Sequence, residues 1–365
     1  MSAAAAVHWA RESARLWEEA LGQGRNPTTS SAHTIGQPFL EMNIGVFVLG
    51  MHRSGTSAAT RLINLLGLQA PIEEDLLPPD VGNPRGYWES SSLVDFNDRL
   101  LEALGSNFSC PVAFSPGWER DPRLDAFYPE ASKLFARVFP APPWVFKDPR
   151  NCITFAFWVR ALEIEPVVVL MLRNPCEIAA SYRDHWGDHD GIPYLFALWE
   201  RYLRQALRHV EGRPVLVTSY EDLLARPVAW CDRARELLVR SGLVLRGRCD
   251  PEVEAFVDSH LRRASFSRSD FLEHAAVTEP QRALFLGLEE MEGVHDRFVP
   301  PSLPAETATT DALLLERRRA VRIARDLPAN RWARTWERLR KSHYLAPARV
   351  VYRRMRRLSA ARMTA

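Results

Sequence analysis

The run VFVLGMHRSGTSAATRL, from Val46 to Leu62, constrains the fold more than any other stretch of the 365 residues. Four apolar residues (Val46, Phe47, Val48, Leu49) stop at Gly50, and Gly55, Thr56 and Ser57 follow. Apolar residues then return at helical spacing, at Leu62, Ile63, Leu65 and Leu66. Strand, glycine-bounded turn and helix in that order predict a β–α unit with backbone N–H groups exposed in the turn. Three further apolar runs repeat the arrangement, Trp144–Lys147 (WVFK), Pro166–Leu172 (PVVVLML) and Pro214–Ser219 (PVLVTS), each followed by a helical segment. Continuous apolar strands separated by helices predict a central parallel sheet covered on both faces. Ligands of such sheets lie beyond the carboxyl ends of the strands. HRSGTS, KDPR and LRNP stand at three of those ends, so they should meet at one crevice.

The first loop is built for an anion. Successive amides and the positive end of the following helix supply about half a unit of charge before any side chain is counted. Thr56 and Ser57 add hydroxyls, and Arg53 adds a planar fork suited to tetrahedral oxyanions; a purely structural turn requires none of these. Loops that bind ATP or GTP read G-x-x-x-x-G-K-[ST], with Lys on the β- and γ-phosphates. Here Thr56 occupies the Lys position and the nearest cation is Arg53. Metal-assisted phosphoryl transfer also needs a carboxylate that positions Mg²⁺. The third strand ends instead in Arg173, which repels a divalent cation and attracts a second anion.

GMHRSGTS resembles the 5′-phosphosulfate loop of the sulfotransferases that use 3′-phosphoadenosine 5′-phosphosulfate. LRNPCEIAAS resembles their 3′-phosphate motif, an Arg at a strand end with a Ser eight residues later, here Arg173 and Ser181. The resemblance spans roughly residues 44–238 and rests on the two motifs occurring in order on β–α units. It implies a P-loop-NTPase-like, three-layer α/β sandwich, no metal, and transfer of a sulfuryl group to a hydroxyl or amine. Carried over by position, Arg53, Ser54, Gly55, Thr56 and Ser57 would hold the 5′-phosphosulfate, and Arg173 and Ser181 the 3′-phosphate. Tyr220, in a Tyr-Glu-Asp-Leu run like one in the family, would line the adenine pocket, or the run serves only to start a helix at Asp222. The family's later Arg-Lys-Gly clamp is not visible; Arg262 and Arg263 are weak substitutes for it.

In-line sulfuryl transfer requires stabilisation of the leaving phosphate and removal of the acceptor proton. Arg53 suits the first task, and Lys147 in FKDPR is a second cation. The chain has only three lysines (Lys133, Lys147, Lys341) against 44 arginines, so a Lys at a strand end suggests a need for a compact ammonium or a proton donor. The alternative is a simple pair with Asp148. Family members take the proton with a His or a Glu, and the order of elements points to Glu89 in NPRGYWES. It precedes an amphipathic helix carrying Leu93, Phe96, Leu100 and Leu104, whose N-terminus would keep a base ionised. Glu89 is then either the base or a helix-capping carboxylate, with His52 and His185 in reserve. His185 and His189 are spaced for a metal on a helix, but Gly187 interrupts it, and no metal is expected.

Composition supports an ordinary folded protein, 46% apolar and 25% charged. The five cysteines are scattered without a C-x-x-C pair, which argues against a disulfide framework or zinc knuckle and fits a reducing cytoplasm. No run is long enough to span a bilayer and the N-terminus has no signal-peptide layout. Residues 311–365 hold 16 Lys and Arg against four Asp and Glu, a net +12, which leaves −10 on the first 310 residues within a whole-chain +2. A run rich in Pro, Thr and Ala (PPSLPAETATTD) precedes this tail. Three parts are therefore expected: a helix and polar linker over 1–40, the α/β domain over 41–299, and a basic helical extension over 300–365. The extension suits solvated helices over an acidic body or a peripheral contact with an anionic membrane. No groove-reading motif points to specific nucleic acid. The expected acceptor is a saccharide, glycolipid or small molecule. A P-loop kinase with a degenerate loop and a non-catalytic nucleotide-binding module are the alternatives.

Overall fold

The computed structural model describes residues 45–186, 191–247, 250–258, 260 and 262–326. The expected N-terminal helix, His189 and the tail from residue 327 onward lie outside these residues.

Five strands form one sheet in the order β2-β1-β3-β4-β5: β1 (Val46–Leu49), β2 (Val145–Lys147), β3 (Val167–Leu172), β4 (Val215–Ser219) and β5 (Gly293–His295). The first four are the strands expected from the apolar runs and all pair in parallel, Val46 lying opposite Val145 on one side and Val167 on the other. The sheet is mostly rather than wholly parallel, because β5 joins β4 antiparallel. Three residues beginning with a glycine are too short to carry a strand pattern in sequence.

Twelve helices follow from the described residues. They are α1 (Thr56–Leu65), α2 (Ser91–Ala103), α3 (Phe127–Val138), α4 (Asn151–Leu162), α5 (Pro175–Trp186), α6 (Ile192–Val210), α7 (Tyr220–Ala225), α8 (Pro227–Arg240), α9 (Asp250–Phe256), α10 (Arg268–Leu272), α11 (Glu279–Glu290) and α12 (Ala308–Asp326). They lie on both sides of the sheet, giving the expected three-layer α/β architecture. The alternation of side chains along each strand explains why the strands are apolar throughout. Phe47 and Leu49, with Val168, Leu170 and Leu172, enter a core shared with α2, α4 and α6. Val46 and Val48, with Val167, Val169 and Met171, enter the core on the other face with α1 and α8.

The described part of the expected extension, α12, packs on the domain. Leu314 of α12 is buried in the larger core, and the helix packs against α6. Arg201 of α6, 1% exposed, donates to Glu306 (2.9 Å), to Asp311 and to the Pro111 carbonyl (2.9 Å). Thr310 donates to the fully buried Glu200 at 2.8 Å. The two acidic residues here let the otherwise basic segment seat on a buried arginine.

Candidate active site

β1 lies between β2 and β3, and the chain passes from one side of it to the other. Its carboxyl end is thus a topological switch point, where open α/β sheets bind ligands. A cleft of about 400 Å³ opens there, lined by residues from the ends of β1, β2, β3 and β4 and from the loop before α2.

The first wall is the turn 50–55. Gly55 precedes α1 with φ 86°, and a Cβ at that position would stand 2.2 Å from the Tyr220 ring. Glycine is therefore required both by the left-handed backbone and by the aromatic ring against it. Arg53 itself adopts φ 71°, an uncommon conformation for a non-glycine residue and one that clusters at functional sites. No side chain caps α1 and its first turn holds no acidic residue, so its amides and positive dipole end are left for an anion. Ser54 and Thr56 are buried, while Gly55 and Ser57 are partly exposed.

The second wall carries Arg173 and Ser181. Arg53 Nε donates to Ser181 Oγ at 2.9 Å, and Arg173 Nη1 donates to the Arg53 carbonyl at 2.7 Å. Two sequence motifs 120 to 128 residues apart are thereby joined directly. Tyr220, the first residue of α7, packs its ring on both, 4.7 Å from the Arg173 guanidinium and against Gly55. Its neighbour Asp222 is not the helix cap; Ser219 is, accepting from Asp222 N at 3.3 Å, while the Asp222 carboxylate pairs with Arg226 and Arg233.

Lys147 and Glu89 form the floor. Lys147 Nζ donates to Glu89 Oε1 and, at 3.2 Å, to Ser57 Oγ. Lys147 does not pair with Asp148, which accepts from Asn97 (2.8 Å) and from Arg150 N (2.9 Å) and Nη1 (3.1 Å). Nor does Glu89 cap α2: Ser90 does, accepting from Leu93 N at 3.0 Å. Both members of the pair are buried. Burial pushes the Glu89 carboxyl up despite the opposing pull of Lys147, and pushes the Lys147 ammonium down despite Glu89. The expected ionising influence of the helix end on Glu89 is outweighed by this desolvation. The two affinities are drawn toward each other, which suits a pair that exchanges a proton.

The histidines differ in setting. His52 is buried among Phe108, Trp186 and Tyr202, and its Nε2 has no hydrogen-bond partner among the described residues. Burial, then the charges of Arg150, Arg53 and Lys147, hold it down to about 3, so it is a neutral imidazole and a weak base. His185 lies at the cleft with Nε2 3.4 Å from the Tyr87 hydroxyl. Among the described residues no group of three or more His, Cys, Asp or Glu side chains is placed to hold a metal ion.

The loop 77–89 lines the cleft. Asn83 Nδ2 donates to Ser57 Oγ at 3.2 Å, the Gly82 carbonyl accepts from Arg53 Nη2 at 2.9 Å, and the Val81 carbonyl accepts from Arg263 Nη2 at 2.8 Å. Arg263 thus reaches the cleft wall, whereas Arg262 pairs with Glu177 behind Arg173.

No protein-family model matches this chain, and no curated protein matches it. Among solved structures it is similar to a sulfotransferase domain from the curacin biosynthetic pathway, at 16% identity and TM-score 0.34, over 74% of this chain and 96% of that one. It is also similar to a sulfotransferase domain from the Synechococcus PCC 7002 olefin synthase, at 17% identity and TM-score 0.38, over 75% of this chain and 94% of that one.

Proposed function

We propose that this chain is a sulfotransferase that moves the sulfuryl group of 3′-phosphoadenosine 5′-phosphosulfate to a hydroxyl of a saccharide, glycolipid or small-molecule acceptor. The observation that carries the reading is the junction of Arg53, Ser181 and Arg173, which brings two anion-binding motifs to one cleft. A donor with anionic groups on the 3′ and 5′ positions of one ribose matches two adjoining motifs, with the Tyr220 ring packed against both. The strand ends that a metal-dependent kinase furnishes with a free carboxylate carry Lys147 and Arg173 instead, and the Asp148 carboxylate is consumed by Asn97 and Arg150.

The reaction follows from charge flow. The acceptor oxygen attacks sulfur, the bond from sulfur to the bridging phosphate oxygen breaks, and the phosphate departs with the electron pair. Arg53, the amides of α1 and the Lys147 ammonium receive that negative charge. Glu89 takes the acceptor proton, and its contact with Lys147 gives the proton a path toward the leaving oxygen.

Titration calorimetry in EDTA tests the donor. Adenosine 3′,5′-bisphosphate should bind in the micromolar range or tighter without metal. Arg173→Ala should weaken it about ten- to a hundredfold, the size of a lost charge-assisted hydrogen bond of about 1.5–3 kcal/mol, and leave adenosine 5′-monophosphate nearly unaffected. Equal losses for the two ligands, or binding of ATP only with Mg²⁺, would overturn the reading.

A further inference from the structure

Glu177 is a buried carboxylate that the reaction does not use. It sits on α5 one turn after Arg173 and is 1% exposed. Its Oε2 accepts from Arg173 Nε at 2.8 Å and Arg262 Nε at 3.3 Å, and its Oε1 from Arg262 Nη2 at 2.5 Å and the Phe266 amide at 3.3 Å. Burial opposes its charge, but the hydrogen bonds from Arg262 and Arg173 outweigh that and hold it below the ordinary carboxylate range. The same short stretch, residues 262–267, is tied a second time by Asn174, whose Nδ2 donates to the carbonyls of Phe266 (3.2 Å) and Ser267 (2.8 Å).

The consequence for Arg173 is geometric. A guanidinium is planar and directional, and three of its features are already spoken for: Nε by Glu177, Nη1 by the Arg53 carbonyl, and one face by Tyr220. Nη2 is the nitrogen without a hydrogen bond among the described residues. Arg173 lines the cleft, and with the plane held on two edges Nη2 cannot swing away without breaking them. Arg262, held on the same carboxylate, fixes the start of the stretch whose next residue, Arg263, donates to the Val81 carbonyl over the cleft.

We propose that Glu177 is a positioning residue that sets preference for a 3′-phosphorylated donor, by locking the Arg173 plane and anchoring residues 262–267 beside it. The proposal rests on the donor reading above. It makes a prediction whose sign separates position from charge. A carboxylate next to Arg173 repels a phosphate, so if Glu177 acted only through its charge, its removal would tighten binding of the bisphosphate. A positioning role predicts the opposite.

The experiment measures dissociation constants of the full chain for adenosine 3′,5′-bisphosphate and adenosine 5′-monophosphate, in wild type, Glu177→Gln, Arg173→Ala and the double variant, with thermal melts of each. Glu177→Gln should weaken the bisphosphate about tenfold and the monophosphate less than twofold. In the Arg173→Ala background the same substitution should change bisphosphate affinity less than twofold. Unchanged or tighter bisphosphate binding, equal losses for both ligands, or full additivity with Arg173→Ala would overturn the proposal. Should Glu177→Gln fail to fold, Glu177→Asp replaces it, with a loss of bisphosphate preference expected and an unaltered preference contradicting the role. A wild type that does not prefer the bisphosphate would refute the donor reading itself, and is seen before any variant is compared.

Discussion

At the scale of single residues, the Glu89–Lys147 pair is where the proposed reaction would activate its acceptor. Its partners lie 58 residues apart, so sequence order placed Glu89 only near a helix start and Lys147 only at a strand end. The contact needed the sheet, which brings β2 beside β1, to become visible. Glu89→Gln keeps shape while removing the base, so turnover should fall about 10²–10⁴-fold with bisphosphate affinity retained. The pH dependence follows in sign from burial. A carboxyl raised in the folded protein is protonated as pH falls through that raised value, so the acid limb of kcat/KM should lie above the ordinary glutamate value of about 4.3. Glu89→Gln should abolish that limb along with most of the rate. A limb left in place, or turnover within a fewfold of wild type, would remove Glu89 as base; His185 would then be the histidine to examine, since burial and the neighbouring cations make His52 a poor proton acceptor.

At the scale of elements, the glycine-bounded turn between β1 and α1 was legible because its signal is local: an apolar strand, glycines and a helical pattern in succession. The four parallel strands were legible because burial on both faces makes them apolar at every position. What escaped was set by tertiary contact. Nothing in the sequence of the loop 77–89 announces that Asn83 and Gly82 will meet Ser57 and Arg53. The helix α12 belongs to a basic tail by composition, yet it seats on α6 through Leu314 and through Asp311 on Arg201. Leu314→Ala should therefore cost about 2–5 kcal/mol of stability, the range for truncating a buried leucine. Urea denaturation should show the midpoint fall while the bisphosphate dissociation constant stays within about twofold. A loss below 0.5 kcal/mol, the size of an ordinary surface change of about ±0.5 kcal/mol, would mean that α12 is not docked in solution.

At the scale of the whole molecule, the strand order puts the carboxyl end of β1 at the switch point, and three cationic side chains, Arg53, Lys147 and Arg173, gather there with a buried glutamate beneath. In the proposed reaction the donor is neutralised by fixed arginine and lysine side chains rather than by a metal ion. Among the described residues no helix is long and apolar enough to cross a membrane, and the acceptor must be found by its chemistry. The most direct measurement is transfer of radiolabelled sulfate from 3′-phosphoadenosine 5′-phosphosulfate to acceptors in a fractionated cell extract, in EDTA, by wild type and Glu89→Gln at equal donor occupancy. Wild type should label a discrete acceptor fraction at a rate unchanged by EDTA, and Glu89→Gln should label it about 10²-fold more slowly or worse. Donor binding without labelling of any fraction, or labelling that requires Mg²⁺, would contradict the proposed reaction.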